Sequence, residues 1–538
     1  MKKESINQWF SRVFTRDINI SKKSFGYLLF SLLAIMLIIE ALIFEYIRVV
    51  NDLEATIEQI YIFVLILAIS FLFSGMLVDL IKNRTQYYNL MLLIAVFGLL
   101  LSAIPENLFY YFGMVLVLLT TPQLIIVWFT ILVHETNILN RGRITTYVFV
   151  PSFNLGFISL IFIEFDILYL GLGILEFFIF LIIFWYSRSY KYRETEERLQ
   201  SEKKYLKIIF EKHFFRYSSS FTMLSITLGG LIERYTLNVD ILLFAIISSF
   251  YLIVAGCFFD NIGRKISIVL GILVVSFFLI SYGSFINEPE VLGMPIKVVL
   301  SIHYAFSLGP LLLAIFTIAG DFSTERGNLK FRGRINGIFM LLFFVGTIGG
   351  FMLSHWINAF IPNFANLLNS YILVILLVWM MGMKEFLASK EKKWAETLSN
   401  LLVFSKTGIC LYEYDFEKKG KTKDKEGTVQ FDRDLVSGVL SGVITIISEI
   451  TNSKKELRKI DKEGVFLLFG YGRYHIVALI ATMELPVLFK KLDEFSRDFE
   501  NKFSKDLKAF KGNVNRFNPT KSLIKKYFSQ KDINISDQ

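Results

Sequence analysis

"GCFFDNIGRK" occupies residues 256–265, between the apolar runs "DILLFAIISSFYLIVA" and "ISIVLGILVVSFFLIS". Two glycines, an acid and an Arg-Lys pair interrupt what would otherwise be continuous hydrocarbon. The flanks set the context. Hydrophobic residues make up 54% of the 538 and aromatics 16%, and mean hydropathy is +0.53. That is more apolar side chain than a soluble core uses, so the composition predicts an integral membrane protein.

A helix needs roughly 20 apolar residues to cross about 30 Å of hydrocarbon. Such stretches fall at 25–49, 58–80, 87–104, 108–133, 145–163, 167–187, 214–235, 237–259, 266–286, 297–320, 335–358 and 364–383, twelve in all. With the amino terminus inside, the inner segments before the tail carry 25 Lys and Arg, against three outside: Arg48, Arg234 and Lys297. Positive charge collects on the cytoplasmic side, so both termini are expected in the cytoplasm of a multi-pass cell-membrane protein. The opening "MKKESINQWFSRVFTRDINISKK" is too long and polar for a cleavable leader. The two cysteines, Cys257 and Cys410, provide neither a disulfide framework nor a metal site. The net charge of +10 suits an anionic inner leaflet better than nucleic acid.

The decapeptide has an echo. "GMLVDLIKNR" (75–84) follows the second stretch as "GCFFDNIGRK" follows the eighth, and "RGR" recurs at 141–143 and 332–334. A basic loop, "SRSYKYRETEERLQSEKKYLKIIFEKHFFR", separates stretches six and seven. The expected architecture is all-α and polytopic: twelve transmembrane helices in two pseudo-symmetric six-helix bundles (25–187 and 214–384) joined by a linker (188–213). A cytoplasmic segment (1–24) precedes them. A second linker (385–400) and a small cytoplasmic α+β domain (401–530) follow.

A glycine at a helix end lets a neighbouring backbone approach. An Asp four residues later can accept from the free N–H groups at another helix's N-terminus and meet its positive dipole end. Asp79 is therefore expected to face the start of the eleventh helix near Arg334, and Asp260 the start of the fifth near Arg143. Lys82, Arg84 and Lys265 could equally be ordinary inner-side charges.

With this motif, its echo and the span count, the chain resembles the major facilitator superfamily over about residues 20–385. The family's loop motif runs Gly, any, Leu, small, Asp, basic, any, Gly, then two basic residues. Gly256, Asp260, Gly263, Arg264 and Lys265 match it, while Phe258 and Asn261 depart. Gly75, Leu77, Asp79 and Arg84 keep the first copy, with Lys82 where its second glycine would stand. The resemblance implies a secondary transporter working by alternating access, with these residues as a cytoplasmic gate.

Ionisable groups inside spans are costly and mark pathways. Glu40 and Glu176 lie deep, and one of them is the candidate for proton coupling. Glu45, Arg48, Glu233 and Arg234 belong at the outer interface, and His303 and His355 complete the set. Gln123 and Asn154 sit beside Pro122 and Pro151 on helices that line the cavity in the resembled family. With few charges inside, a small apolar or amphipathic solute fits better than a polyanion.

In the tail, "LLVFSKTGICLYEYDF" (401–416) reads as a hairpin, "DLVSGVLSGVITIISEI" (434–450) as a helix and "VFLLFGYGRYHIVALIAT" (465–482) as a second hairpin. A helix from Leu485 presents Leu492, Phe495, Phe499, Phe503, Leu507 and Phe510 on one face. The opening hairpin, with Ser437, Gly438, Ser441 and Gly442 on the helix after it, resembles the roadblock and longin-like scaffolds. That resemblance implies self-association or a small-GTPase partner, and with it a second reading of the chain as a transporter-like sensor or scaffold. "GKT" (420–422) lacks the upstream glycine of a phosphate loop, and "HET" (134–136) lacks a second histidine for zinc. No catalytic constellation or cofactor motif is present, so no enzyme activity, cofactor or metal is expected.

Overall fold

The computed structural model describes residues 14, 18, 20–51, 57–104, 106–162, 168–189, 205–235, 241–285, 290–291, 293–324, 331–361, 364–381, 394–416, 433–450, 456–462, 465–510 and 512–528. The chain divides into two compact units, Met1–Ala388 and Ser389–Gln538.

The first unit is built from α1 (Lys22–Asn51), α2 (Ile57–Leu80), α3 (Arg84–Ser102), α4 (Asn107–Glu135), α5 (Arg141–Phe162) and α6 (Leu168–Ser189), then α7 (Lys212–Tyr235), α8 (Ile241–Asn261), α9 (Arg264–Phe285), α10 (Ile296–Ser323), α11 (Arg332–Phe360) and α12 (Phe364–Met381). A two-stranded hairpin, β1 (Glu290–Val291) and β2 (Met294–Pro295), precedes α10, and a single helical turn, Tyr205–Ile209, precedes α7. The helices coincide with the twelve apolar stretches but begin earlier at the motifs. Arg141, Arg143, Arg332 and Arg334 lie in first turns rather than in loops, which puts their backbone N–H groups at free helix ends. Among the described residues, six helices are long and apolar enough to cross a membrane, and four shorter apolar stretches accompany them. Trp185 (67% exposed), Phe250 (71%) and Val378 (65%) face outward, an arrangement suited to lipid.

Helix pairing repeats between the halves. The contacts α1–α5, α1–α6, α2–α4, α3–α4 and α3–α6 return as α7–α11, α7–α12, α8–α10, α9–α10 and α9–α12. The most extensive contacts between the halves are reciprocal: α2 packs on α11, and α8 packs on α5. Sequence duplication thus becomes a two-fold relation, with the second and eighth helices each gripping the partner half.

In the second unit β3 (Leu398–Ser405), β4 (Cys410–Asp415), β5 (Lys459–Lys462), β6 (Val465–Tyr471) and β7 (His475–Ala481) form an antiparallel sheet in the order β4-β3-β7-β6-β5. Helix α13 (Arg433–Ile450) covers one face, where Leu440 packs with Leu402, Phe404 and Phe469. Helix α14 (Pro486–Lys508) packs on β6 and β7, and α15 (Thr520–Phe528) packs on α14. Leu492, Phe495, Phe499, Phe503 and Leu507 are all buried, as their helical spacing requires, whereas Phe510 lies beyond the end of α14 and is half-buried. The edge strand β5 and the final α15 are additions to the elements read from sequence; β5 is four residues long, "KIDK", too short and charged to show an alternating pattern.

The first hairpin turns through Lys406–Gly408, where Gly408 adopts φ +87°, a conformation glycine takes without steric cost. Ser437 donates to the Gly408 carbonyl at 2.8 Å and Ser441 to that of Lys406 at 3.0 Å. Three of the four small residues of α13 therefore serve its own hairpin, since a Cβ on Gly408 would already meet Gly438 Cα at 3.0 Å. His475, wholly buried, faces the Ser496 hydroxyl at 3.0 Å. Burial, reinforced by nearby Lys406, pushes its imidazole down to about 4, so the ring is neutral at physiological pH. "GKT" at 420–422 lies outside the described residues.

Candidate functional site

Asp260, in the last turn of α8, reaches the free N-terminus of α5. Its Oδ1 accepts from the Gly142 N–H at 2.9 Å, and its Oδ2 accepts from the Arg143 N–H at 2.8 Å and from Arg143 Nε at 3.1 Å. Arg264, the first residue of α9, donates Nη1 to Oδ1 at 2.7 Å. Four donors on two oxygens leave the carboxylate well saturated.

The approach depends on missing side chains. A Cβ on Gly142 would stand 2.8 Å from Asp260 Oδ1, and one on Gly256 would stand 2.6 Å from Thr146 Oγ1. Gly263, at φ +125°, makes the turn that returns Arg264 toward Asp260.

The cluster continues beyond the motif. Arg264 Nε donates to Asp321 Oδ2 at 2.8 Å, and Asp321 Oδ1 accepts from Arg141 Nη1. Asp321 closes α10 and Arg141 opens α5. Arg264 also donates to the carbonyls of Phe259 at 2.6 Å and Ile138 at 2.5 Å, Arg143 to that of Leu139 at 2.9 Å, and Arg141 Nε to Thr136 Oγ1 at 3.1 Å. Arg143, Asp260, Arg264, Asp321 and Arg141 thus form one buried chain of alternating charge across the two halves. Three arginines against two acids leave one excess positive charge. Carbonyls at helix C-termini receive part of it, as the negative dipole ends of α4 and α8 dictate.

At the other crossing Asp79, in the last turn of α2, accepts from the Gly333 N–H at 2.7 Å and the Arg334 N–H at 3.1 Å. Arg334 Nε lies 3.7 Å from Asp79, with its side chain 29% exposed. The guanidinium also lies over the rings of Tyr205 at 5.4 Å and Phe331 at 5.6 Å. A Cβ on Gly75 would stand 2.9 Å from the Gly333 carbonyl. Arg84, buried at the start of α3, donates to the Val78 carbonyl at 3.3 Å.

Lys265 Nζ donates to the Met381 carbonyl at 3.0 Å and caps the end of α12. Sequence reasoning missed Asp321 and Arg141. An acid at the end of the apolar stretch "LLLAIFTIAGDFS" does nothing for topology, and that would have singled out Asp321 as it did Asp260.

The mid-span candidates fall in separate places. Gln123 on α4 accepts from the Tyr87 hydroxyl on α3 and donates to the Leu119 carbonyl at 3.1 Å. Asn154 on α5 and Ser249 on α8 form a reciprocal pair at 2.8 and 3.1 Å, so this amide joins the two halves. Pro122 and Pro151 sit inside continuous helices. Glu40 on α1 and Glu176 on α6 lie within electrostatic reach of each other. The side chain of His303 lies outside the described residues, as do those of Glu45, Arg48, Glu233 and Arg234. His355 stacks on Phe351 with centroids 6.4 Å apart. Among the described residues there is no group of three or more side chains that could hold a metal ion.

No family model matches the chain, and no curated protein does. Among solved structures, the chain is similar to the human organic anion transporter MFSD10 (TETRAN), at 10% identity and a TM-score of 0.49, over 66% of this chain and 98% of that one. It is also similar to the Major Facilitator Superfamily transporter FucP in the outward conformation, at 11% identity and a TM-score of 0.48, over 66% and 99%. Identities and scores this low decide nothing about this chain; its own helix pairing and ion pairs do.

Proposed function

We propose that the first unit is a secondary transporter of the major facilitator type, with all twelve long helices spanning the cell membrane and both termini in the cytoplasm. A small amphipathic solute would cross by alternating access. One observation carries this reading: the reciprocal pair of carboxylate contacts, Asp260 on the N-terminus of α5 and Asp79 on that of α11, which tie the two halves at their basic end. Such contacts need no permanent bond. They form when the ends meet and are exchanged for water when they part, as a gate between two conformations requires. The described conformation is the one closed toward the cytoplasm. Glu40 or Glu176 would couple movement to a proton.

The second unit is proposed as a cytoplasmic roadblock/longin-like α+β domain with a regulatory or interaction role. An apolar stripe on α13, Leu435 (66% exposed), Val439 (55%), Ile446 (55%) and Ile450 (79%), supports a partner surface. It favours the second reading, a transporter-like scaffold that recruits a small GTPase or a second copy of the chain. Reconstitution in liposomes separates the two. Flux of a small amphipathic solute, lost in Asp260→Asn, is the expected result. Absence of flux across a broad solute panel, together with capture of a GTP-loaded small GTPase by the full chain, would overturn the transporter reading.

A further inference from the structure

We propose that Glu40 and Glu176 form one site holding a single exchangeable proton, buried within the first six-helix set. The use made of that proton rests on the transporter reading; the site itself does not. Glu176 on α6 is 0% exposed, and neither of its carboxyl oxygens has a hydrogen-bond partner. Glu40 on α1 is half-buried and leaves Oε2 equally unpartnered. Gly156 on α5 makes room for Glu40, because a Cβ there would stand 2.5 Å from Glu40 Oε1.

The surroundings are poor in compensation. From α3, Tyr88 lies within electrostatic reach of Glu176, but its hydroxyl already donates to the Ser31 carbonyl at 2.6 Å. From α1 itself, Tyr27 packs edge-on against Tyr88 with centroids 6.1 Å apart. Helices α4 and α5, the other neighbours of α1, bring no charged side chain to the pair among the described residues. Two carboxylates buried together without a cation or a donor would cost several kcal/mol each.

One proton between them removes one charge and supplies the missing donor, since the O–H of one carboxyl can face the oxygen of the other. A metal ion fits less well, because two carboxyls fall short of the ligand groups that a cation site uses and the described residues add no third. Among the described residues no hydrogen bond leads the proton away from Glu176. It exchanges when the helices around it move.

The test uses the full-length protein in lipid nanodiscs and dicyclohexylcarbodiimide, an apolar reagent that converts a protonated carboxyl in apolar surroundings to an N-acylurea. Intact mass and peptide mapping in mildly acidic buffer should show one adduct per chain, on the peptide carrying Glu40 or the one carrying Glu176. A water-soluble carbodiimide should give none there, and replacing choline chloride with sodium chloride should not change the yield. The adduct should vanish in Glu40→Gln/Glu176→Gln; if that variant does not fold, mapping in the unaltered protein still assigns the position. No adduct on either residue, two adducts per chain, or protection by sodium would overturn the proposal. Labelling needs no solute, so a chain that carries none still tests the site, and a failed labelling leaves the gate contacts untouched.

Discussion

The two carboxylate contacts between the halves share one sequence pattern, yet they are built to different strengths. At α8–α5 the carboxylate of Asp260 is fully buried, takes four donors and belongs to a five-residue ion chain reaching Asp321 and Arg141. At α2–α11 Asp79 takes the same two backbone N–H bonds, but its arginine stands 3.7 Å away and is partly exposed. The backbone geometry was kept in duplicate and the side-chain charges were not. The shared N–H contacts define where the halves meet, and the extra ions define how firmly each crossing holds. A two-fold relation in packing therefore does not imply equal energies at its two crossings.

Removing Asp260 should break the comparison most severely. Asp260→Asn leaves Arg143 and Arg264 buried with one fewer counter-charge, a loss of about 3–5 kcal/mol. With both native cysteines replaced, a Thr146→Cys probe at the α5–α8 contact should then react with a water-soluble maleimide roughly 100-fold faster or more. An unchanged labelling rate would remove Asp260 from the gate. Asp321→Asn comes next. Arg264 keeps Asp260 while Arg141 loses Asp321, its acidic partner, so about 2–4 kcal/mol is expected, read with the same probe.

Asp79→Asn should cost less, about 1–2 kcal/mol, because its arginine is partly solvated and an amide oxygen still accepts one N–H. A Ser74→Cys probe, isosteric and buried beside Gly75 on α2, should show roughly a tenfold rise in labelling. Equal responses at the two crossings would mean that the buried ion chain contributes nothing.

The smallest effect should reverse the order. Gly75→Ala drives a Cβ toward the Gly333 carbonyl and Arg334 Cα, which are backbone atoms, whereas Gly256→Ala meets first the rotatable side chain of Thr146. The α2–α11 crossing should lose about 1 kcal/mol more than its counterpart, seen as a lower thermal midpoint for Gly75→Ala. Sterically the weaker crossing is the tighter one.

Much of the proposed gate was legible because its parts are local. A glycine, an acid one turn later and a basic pair at the end of an apolar run can be recognised in ten letters, and the recurrence of "RGR" named the receiving helices. Asp321 carries the same signal, an acid closing an apolar run, but its partners were not legible, since it sits 57 residues beyond Arg264 and nothing in its own neighbourhood announces the arginines it meets. Gln123 and Asn154 were read as cavity candidates from their helices alone. The fold gives them protein partners, Tyr87 and Ser249. In the second unit the small residues of α13 showed that something packs closely, but not that the nearby turn at Gly408 takes that space.

By itself the sequence determined the apolar helices, their duplication and the sidedness of charge, because each follows from composition and spacing along a continuous segment. Only the tertiary structure decided the rest: that α8 meets α5 and α2 meets α11, that Arg264 is shared between two acids, and that Glu40 and Glu176 come within electrostatic reach of each other. Those contacts join residues remote in the chain, and their energies depend on burial and on the distance between charges, quantities that exist only once the helices have packed.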